Sequence, residues 1–283
     1  MKYFGGIKTD NTSFEKASAY LQPIRFDGTS TWGKGADKGF DAFLEASENM
    51  ELYDIETDSE VYKKGIHVLN EIRAAKTTEV YNQTYFTSKE LLRTNRFLTF
   101  IGGEHSISIG IIKAFYEKYP GLTVLQLDAH ADLRPKYDNT PLNHACALHD
   151  ASINTNLIQV GIRSMDSSEK RYMNRNKCFF MHEIYDNDDW MEKSIELMQN
   201  PVYITLDVDV FDPSIMPSTG TPEPGGMKWY QMLTYLKKVF RNRNVVGFDM
   251  VELAPVAQFK HPEFLVSKLY YKMLSYKFEN NEV

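Results

Sequence analysis

The stretch 124–132 reads Val-Leu-Gln-Leu-Asp-Ala-His-Ala-Asp, and the interpretation of the whole sequence starts from it. An apolar run rich in strand-forming residues ends in three polar side chains at a spacing of two, Asp128, His130 and Asp132. Alternate side chains of an extended segment point to the same side, so these three can converge at one strand end. Open α/β sheets place their active sites at that end. Because Asp and His also cluster in polar loops, a metal site here requires ligands from other segments.

Composition indicates a folded globular chain. It has 283 residues, of which 42% are hydrophobic and 25% charged, with a formal net charge of −6. No run of Lys and Arg suggests a nucleic-acid or lipid surface, and no stretch approaches the roughly 18 apolar residues of a membrane span. The start lacks the pattern of a signal peptide, so we expect a cytoplasmic protein. The two cysteines, Cys146 and Cys178, are too few for a disulfide framework, and we expect both to be reduced and buried.

Apolar runs alternate with helical patterns along the chain. The strand 97–101, the Gly102-Gly103 turn and the helix 107–119 lead into the strand at 124, and this βαβ order predicts a parallel connection. We predict further strands at 21–26, 156–161, 179–181, 202–206 and 245–248, and helices at 42–49, 59–75, 229–240 and 262–276. The helix over 59–75 rests on a stripe of Tyr62, Ile66, Leu69 and Ile72. Without a linker or a repeat, one domain over 1–283 is the economical interpretation.

Four predicted strands carry potential ligands at their C-terminal ends. These are His105; Asp128, His130 and Asp132; Asp207 and Asp209; and Glu252. Taken singly, His105 could start a helix, and Asp207 and Asp209 could cap one. Together, the first six offer four carboxylates and two imidazoles, which suit divalent ions such as Mn²⁺. Two dications would neutralise four Asp carboxylates, which predicts a binuclear site bridged by Asp128 and Asp207.

Four segments resemble the signature sequences of the ureohydrolases, the family that includes arginase, agmatinase, guanidinobutyrase and formiminoglutamase. They are GGEHS at 102–106, DAHAD at 128–132, DVDVFDP at 207–213 and TGTPEPGG at 219–226. The resemblance runs in order from about residue 20 to 276. It implies a single-domain, three-layer αβα fold with a central, mostly parallel sheet, and two Mn²⁺ ions per chain.

The resemblance also implies six metal ligands, four terminal and two bridging. The terminal ligands are His105 and Asp132 for one ion and His130 and Asp209 for the other, and the bridging ligands are Asp128 and Asp207. One departure is visible, because Glu104 precedes His105 where Asp is the commoner form. That position is not a ligand, so we expect only adjusted contacts around the ligands.

Catalytic and substrate-binding roles follow from the same resemblance. A metal-bridging hydroxide would attack the guanidinium carbon, with Asp132 bonded to it and passing a proton to the departing amine. His144 would relay protons, Glu252 would pair with the guanidinium, and Thr221 would line its pocket. Asp166 matches a position that contacts the far end of the substrate. Alternatives remain open: His144 could be a helix N-terminal residue, Glu252 a surface carboxylate and Asp166 a loop cap.

Within the family, the details are most similar to agmatinase. The segments 128–134, 143–146 and 159–164 have this character, and the Ser-Gly-Asn loop typical of arginase is missing before His144. We therefore predict hydrolysis of agmatine to putrescine and urea, a step of polyamine biosynthesis, by a homo-oligomer that is trimeric or hexameric. The alternatives are another ureohydrolase, acting on arginine, guanidinobutyrate, formiminoglutamate or aminopropylagmatine, and an inactive metal-binding homologue. A dinuclear phosphoesterase is disfavoured because the ligand segments lack basic residues for a phosphate.

Overall fold

The computed structural model describes residues 2–279, and a parallel sheet of nine strands lies at its centre. The strands are β1 Ala19–Arg25, β2 Ile66–Val68, β3 Ile72–Arg73, β4 Phe97–Ile101, β5 Thr123–Leu127, β6 Asn156–Ile162, β7 Cys178–Phe180, β8 Val202–Asp207 and β9 Val245–Val251. Their order is β2-β1-β4-β9-β8-β5-β6-β7, and β3 also pairs with β1. The strands predicted from the apolar runs are confirmed.

Helices cover both faces of the sheet. They are α1 Gly39–Ser47, α2 Thr77–Leu91, α3 Ile107–Lys118, α4 His149–Asn154, α5 Met181–Ile184, α6 Asp189–Glu196, α7 Trp229–Asn242 and α8 His261–Phe278. Buried side chains of α1, α5, α6, α7 and α8 join one apolar core, and those of α2, α3 and α4 join the other. Layers of helix, sheet and helix confirm the predicted three-layer fold and its single domain. The predicted bounds, 1–283, include residues 1 and 280–283, which lie outside the described residues.

Alternation along the central strands explains the two cores. In β4, Phe97 and Ile101 belong to one core while Leu98 and Phe100 belong to the other. All five residues of β4 are buried, as are all five of β5. Since both faces are covered, these strands read as continuous apolar runs in the sequence. Cys146 and Cys178 are buried and not bonded to each other, as predicted.

The predicted helix over 59–75 is wrong. Only Val61–Lys64 forms a short 3-10 helix, and β2 and β3 follow it along β1. Gly65 interrupts the helix at φ 84°, where an added Cβ would lie 1.9 Å from the carbonyl oxygen of Asn11. Pairing with β1 therefore overrides an apolar stripe that has helical spacing. No helix among residues 2–279 is both long enough and apolar enough to cross a lipid bilayer.

Strand order determines where the candidate ligands meet. The adjacent strands β4, β9, β8 and β5 form the middle of the sheet. Along the chain, β4 is followed by β5, but β9 and β8 lie between them in space. This arrangement opens a crevice at the C-terminal ends of the strands, which is the usual ligand-binding position in such sheets.

Candidate metal centre and substrate pocket

Two glycines after β4 bring His105 into the crevice. Gly102 and Gly103 have φ of 98° and 83°, in the left-handed region that side chains rarely adopt. A Cβ on Gly102 would also lie 2.7 Å from the carbonyl oxygen of Ile24. The tight turn directs the chain back across the sheet end, and α3 starts only two residues after His105. The Gly-Gly pair in the sequence is thus a backbone requirement of the site.

One group of potential ligands surrounds His105. Its Nδ1 atom lies 3.2 Å from Asp128 Oδ2, 3.1 Å from Asp132 Oδ2 and 3.4 Å from Asp207 Oδ2. All four residues are buried. Ligand atoms of His105, Asp128 and Asp132 lie within 4.8 Å of one another, which is close enough to hold one metal ion.

A second group shares Asp128 with the first. It consists of Asp128, His130 and Asp209, whose ligand atoms again lie within 4.8 Å of one another. His130 Nδ1 is 2.9 Å from Asp209 Oδ2 and 3.8 Å from Asp128 Oδ1. The structure therefore brings all six predicted ligands together, and Asp128 lies between the two groups as a bridging carboxylate would. Asp207 contacts His105 of the first group and accepts the backbone N–H of Asp209 in the second at 2.9 Å, but it belongs to neither group of converging ligand atoms, so its bridging role stays a prediction.

Hydrogen bonds on the far side of His105 select the nitrogen that faces the carboxylates. Thr205 donates its hydroxyl proton to Asp249 Oδ1 at 2.7 Å, and Tyr203 donates to Asp249 Oδ2 at 2.7 Å. Thr205 Oγ1 can then only accept from His105 Nε2, 2.9 Å away, so Nε2 carries the proton. Nδ1 is buried and has no hydrogen-bond partner among residues 2–279. A buried nitrogen facing three carboxylates fits a divalent cation.

The electrostatics of the cluster also favour bound positive charge. Burial and the neighbouring Asp128 carboxylate raise the pKa of Asp132 to about 7. Burial and nearby carboxylates raise the pKa of Asp207 well above its usual range. Burial opposes the protonation of His105, but its three carboxylate neighbours outweigh that effect and raise its pKa. The buried negative charge can be neutralised by protons or by metal cations, and two dications would balance four Asp carboxylates.

Glu252 is not a surface carboxylate, because only 6% of it is exposed. Its Oε1 atom accepts the backbone N–H of His105 at 2.9 Å, and burial followed by the nearby Glu104 raises its pKa. Glu252 and Asp132 both have positive φ, 66° and 52°. Left-handed backbone at residues other than glycine costs roughly 1–3 kcal/mol and clusters at functional sites. Both residues are predicted to be catalytic.

A cavity of about 300 Å³ opens beside the two ligand groups. Its lining includes five predicted site residues, namely His130, Asp132, His144, Asp166 and Thr221. Burial, followed by the charges of His105 and His130, lowers the pKa of His144 to about 4, so its imidazole is neutral at pH 7. His144 Nε2 is buried without a hydrogen-bond partner in the described part of the chain. A ligand in the cavity could therefore use this atom.

The sequence left two interpretations of Asp166 open, a loop cap and a residue at the substrate pocket, and its position agrees with both. Its Oδ1 atom accepts the N–H of Ser168 at 2.9 Å and caps the 3-10 helix Ser167–Arg171. It also lines the cavity. Asp166 is thus a helix cap that lies at the cavity, and its contact with the far end of a substrate stays a prediction.

Two residues around His105 were missed in the sequence, Thr205 and Asp249. Thr205 lies two positions before Asp207, so both side chains leave β8 on the same side. Asp249 is its direct partner in the β8–β9 register. In the sequence, the only indication of their role was that each is a polar residue inside an otherwise apolar strand. That they face each other could be inferred only once the pairing of β8 with β9 was known.

Comparison with known proteins agrees with this geometry. A model of the arginase family matches residues 17–275. The N(1)-aminopropylagmatine ureohydrolase of Synechocystis sp. is 32% identical over 277 residues, covering 94% of this chain and 90% of that protein. The agmatinase of Pyrococcus horikoshii is 30% identical, with 88% of each chain covered. A solved structure of a putative agmatinase from Clostridium difficile superimposes with a TM-score of 0.85 and 27% identity, over 94% of this chain and 98% of that one.

These similarities extend over almost the whole chain and include the strands that carry the candidate ligands. The predicted ureohydrolase resemblance is confirmed. We conclude that the chain belongs to the arginase family and is a metal-dependent hydrolase of carbon–nitrogen bonds.

Proposed function

We propose that the protein hydrolyses the guanidinium group of agmatine to putrescine and urea with two Mn²⁺ ions. The observation that carries the proposal is the pair of ligand groups sharing Asp128 at the base of a cavity. Mn²⁺ accords with a donor set of carboxylates and imidazoles without thiolates. His105 and Asp132 would hold one ion, His130 and Asp209 the other, and Asp128 and Asp207 both. When bound, the two ions supply Lewis-acid chemistry that makes water nucleophilic at neutral pH.

The side chains of the site would bind and orient the guanidinium. Glu252 Oε1 already accepts the His105 N–H, which directs Oε2 towards Gly220, next to Thr221. Oε2 can accept a guanidinium N–H, and Thr221, the residue after Gly220, lines the cavity. A carboxylate held by the backbone on one oxygen keeps its other oxygen in a fixed direction. We therefore assign Glu252 and Thr221 to guanidinium binding.

Proton transfer would use Asp132 and His144. Asp132 lines the cavity beside the candidate ion site, where its carboxylate can accept a proton and return it. The neutral imidazole of His144 can accept a proton or pass one on, because its Nε2 is free of other hydrogen bonds within residues 2–279. Together they would protonate the amine that leaves the guanidinium carbon.

N(1)-aminopropylagmatine is a second candidate substrate. The Synechocystis protein that carries this activity in its name is 32% identical to the chain, slightly more than the agmatinase from Pyrococcus. Its additional aminopropyl group would need space beyond the guanidinium, and the cavity lining also includes Tyr137, Met165 and Asp166, which are not candidate metal ligands. The ratio of kcat/KM for the two substrates distinguishes the candidates. Arginine, guanidinobutyrate and formiminoglutamate complete the panel.

The test is urea release by Mn²⁺-loaded and chelated protein. We expect two Mn²⁺ per chain and urea from agmatine or its aminopropyl derivative, with activity lost on chelation. Asp128→Asn should bind at most one ion and lose at least about 100-fold in kcat/KM, since it removes the shared ligand. Asp186→Asn, outside the site, is the matched control. Loaded protein that releases neither urea nor formamide from any substrate in the panel would instead be an inactive homologue.

The family resemblance also implies properties of the whole protein. We infer a cytoplasmic homo-oligomer, a trimer or hexamer, that acts on a small cationic guanidino compound. Light scattering of the Mn²⁺-loaded protein tests the oligomeric state.

A further inference from the structure

Glu104 is a fully buried carboxylate that is not among the predicted ligands. It accepts four hydrogen bonds. Oε1 accepts the N–H of Thr29 at 3.2 Å, the hydroxyl of Thr29 at 2.8 Å and the hydroxyl of Ser106 at 2.8 Å, and Oε2 accepts the N–H of Ser106 at 2.7 Å. All four donors belong to two residues, Thr29 and Ser106. Glu104 thus ties the loop after β1 to the start of α3.

Thr29 extends this connection to the cavity. Its single hydroxyl proton is donated to Glu104, and its oxygen accepts the backbone N–H of His144 at 3.0 Å. The partners are far apart in sequence, by 75 residues for Thr29 and Glu104 and 115 for Thr29 and His144. Loop 28–31 continues to Thr31, which lines the cavity together with His144. A hydrogen-bonded chain therefore runs from Glu104 through Thr29 to the His144 backbone.

Local contacts alone do not hold His144 against this crevice. It begins a 3-10 helix of three residues, His144–Cys146, whose N-cap is Asn143. The cap bond joins Asn143 to Ala145 and does not reach the metal groups. The bond to Thr29 ties the N–H of His144 to the segment that also carries the candidate ligand His105. Backbone bonds from the Arg134 N–H to the Ala145 carbonyl, 3.2 Å, and from the Leu148 N–H to the Asp132 carbonyl, 3.0 Å, also join this segment to the candidate ligand Asp132. The bond to Thr29 adds a fixed point at the N–H of His144 itself, and Thr29 is in turn bonded to Glu104, the residue just before His105.

We propose that Glu104 and Thr29 are positioning residues that fix His144, through its backbone N–H, over the candidate metal centre. This inference rests on the proposed function, because it assigns His144 a role in proton transfer. Displacement of a reacting group by about 1 Å can reduce turnover about 100-fold. A positioning role affects turnover more than substrate affinity, since the guanidinium contacts of Glu252 and Thr221 are unchanged.

A matched pair of variants tests the proposal. Thr29→Val keeps the shape of the side chain but loses the hydroxyl, and Thr29→Ser keeps the hydroxyl. In Mn²⁺-loaded enzyme we expect Thr29→Val to retain two ions per chain, to keep KM within about threefold and to lose about 10–100-fold in kcat. Thr29→Ser should remain within about threefold of the parent in both constants. Parent-like kcat in Thr29→Val, or equal losses in both variants, would overturn the proposal.

Two further measurements separate positioning from general destabilisation. The NMR signals of the His144 ring in metal-free protein, assigned by their loss in His144→Asn, should shift in Thr29→Val and return to the parent positions in Thr29→Ser.

Glu104→Asp, shorter by one methylene group, should lower kcat like Thr29→Val, and the double variant of both positions should lose no more than the worse single variant. If the losses in kcat of the two single variants multiplied in the double variant, Glu104 would not act through Thr29. Parent enzyme without turnover on any guanidino substrate would overturn the proposed function as well, whereas an active parent with normal Thr29→Val overturns this inference alone.

Discussion

His105 presents Nδ1 to the carboxylates because a hydrogen-bonded chain already occupies Nε2. Asp249 accepts from Thr205 and Tyr203, and Thr205 in turn accepts from the imidazole. All of these groups are buried, so the protonated nitrogen cannot simply exchange its partner for water. Orientation and tautomer of a metal-binding histidine are commonly set by such partners.

Loss of the Thr205 hydroxyl should therefore weaken metal binding. We predict that Thr205→Val lowers Mn²⁺ affinity by about 10–100-fold, because Nε2–H loses its acceptor and Asp249 loses a donor. Thr205→Ser, which keeps the hydroxyl, serves as the control and should bind within about threefold of the parent. Calorimetric Mn²⁺ titration measures both. Parent-like affinity in Thr205→Val would mean that packing alone orients the imidazole.

Sequence spacing predicted the convergence of the candidate ligands better than it predicted the residues that support them. Asp128 and Asp207 each end an apolar strand, so their convergence followed from the general geometry of parallel sheets. Thr29 offered no such signal, because it lies in a Gly-rich loop and its partners are 75 and 115 residues away. Glu104 was noted only as a departure from the commoner Asp. Hydrogen bonds between distant segments depend on the assembled fold.

Among the elements, the turn between β4 and α3 is the one that a side chain would disturb most directly. Gly102 has φ of 98°, and its neighbours leave no space for a Cβ. Gly225, in the loop after β8, has φ of 79°, but an added Cβ there would contact nothing within 4 Å. The two glycines therefore share backbone strain and differ in steric contact.

We predict that Gly102→Ala destabilises the protein by more than Gly225→Ala. Both should lose roughly 1–2 kcal/mol from the left-handed backbone, and Gly102→Ala an additional 1–3 kcal/mol, about the cost of overpacking against Ile24. Urea unfolding of the metal-free variants gives both free energies. Gly102→Ala should also reduce Mn²⁺ binding, because His105 follows three residues later. Equal losses of stability would show that the steric contact relaxes without cost.

The segment 59–75 shows where element prediction failed. Its apolar residues have helical spacing, yet Ile66 belongs to β2 and Ile72 to β3. Hydrophobic periodicity does not show that Gly65 needs a positive φ, or that β1 offers an edge with which this segment can pair. By contrast β4, β5, β8 and β9 were predictable, because strands buried on both faces produce unbroken apolar runs.

For the whole molecule, folding gathers acidic groups in a chain that is already acidic, with a net charge of −6. Four Asp carboxylates of the candidate metal centre are buried together. Without metal, the folded state retains protons there that the unfolded chain releases, as the raised pKa values of Asp132 and His105 indicate. Metal ions and protons therefore compete for one site, which links stability, pH and metal concentration.

This linkage predicts that metal-free protein loses thermal stability as pH rises from about 6.5 to 8. Asp132 is protonated in the folded state below its pKa of about 7 and ionised in the unfolded chain, so its stabilising contribution disappears as pH rises through 7. His105 and His130, whose pKa values are also raised, act in the same direction. His144, whose pKa is lowered to about 4, has the opposite effect, but only below about pH 6.5.

Thermal melts of chelated and Mn²⁺-loaded protein across this range provide the measurement. The Tm of chelated protein should fall with pH, and Mn²⁺ should raise Tm most at pH 8, where protons no longer compete. Free Mn²⁺ at 100 times its Kd would add about 2.7 kcal/mol for one site. Asp132→Asn removes one titrating group, so its metal-free Tm should vary less with pH than the parent's. If the Tm of metal-free protein rose between pH 6.5 and 8, the folded site would not retain protons in this range, and protons would not compete with metal ions for it.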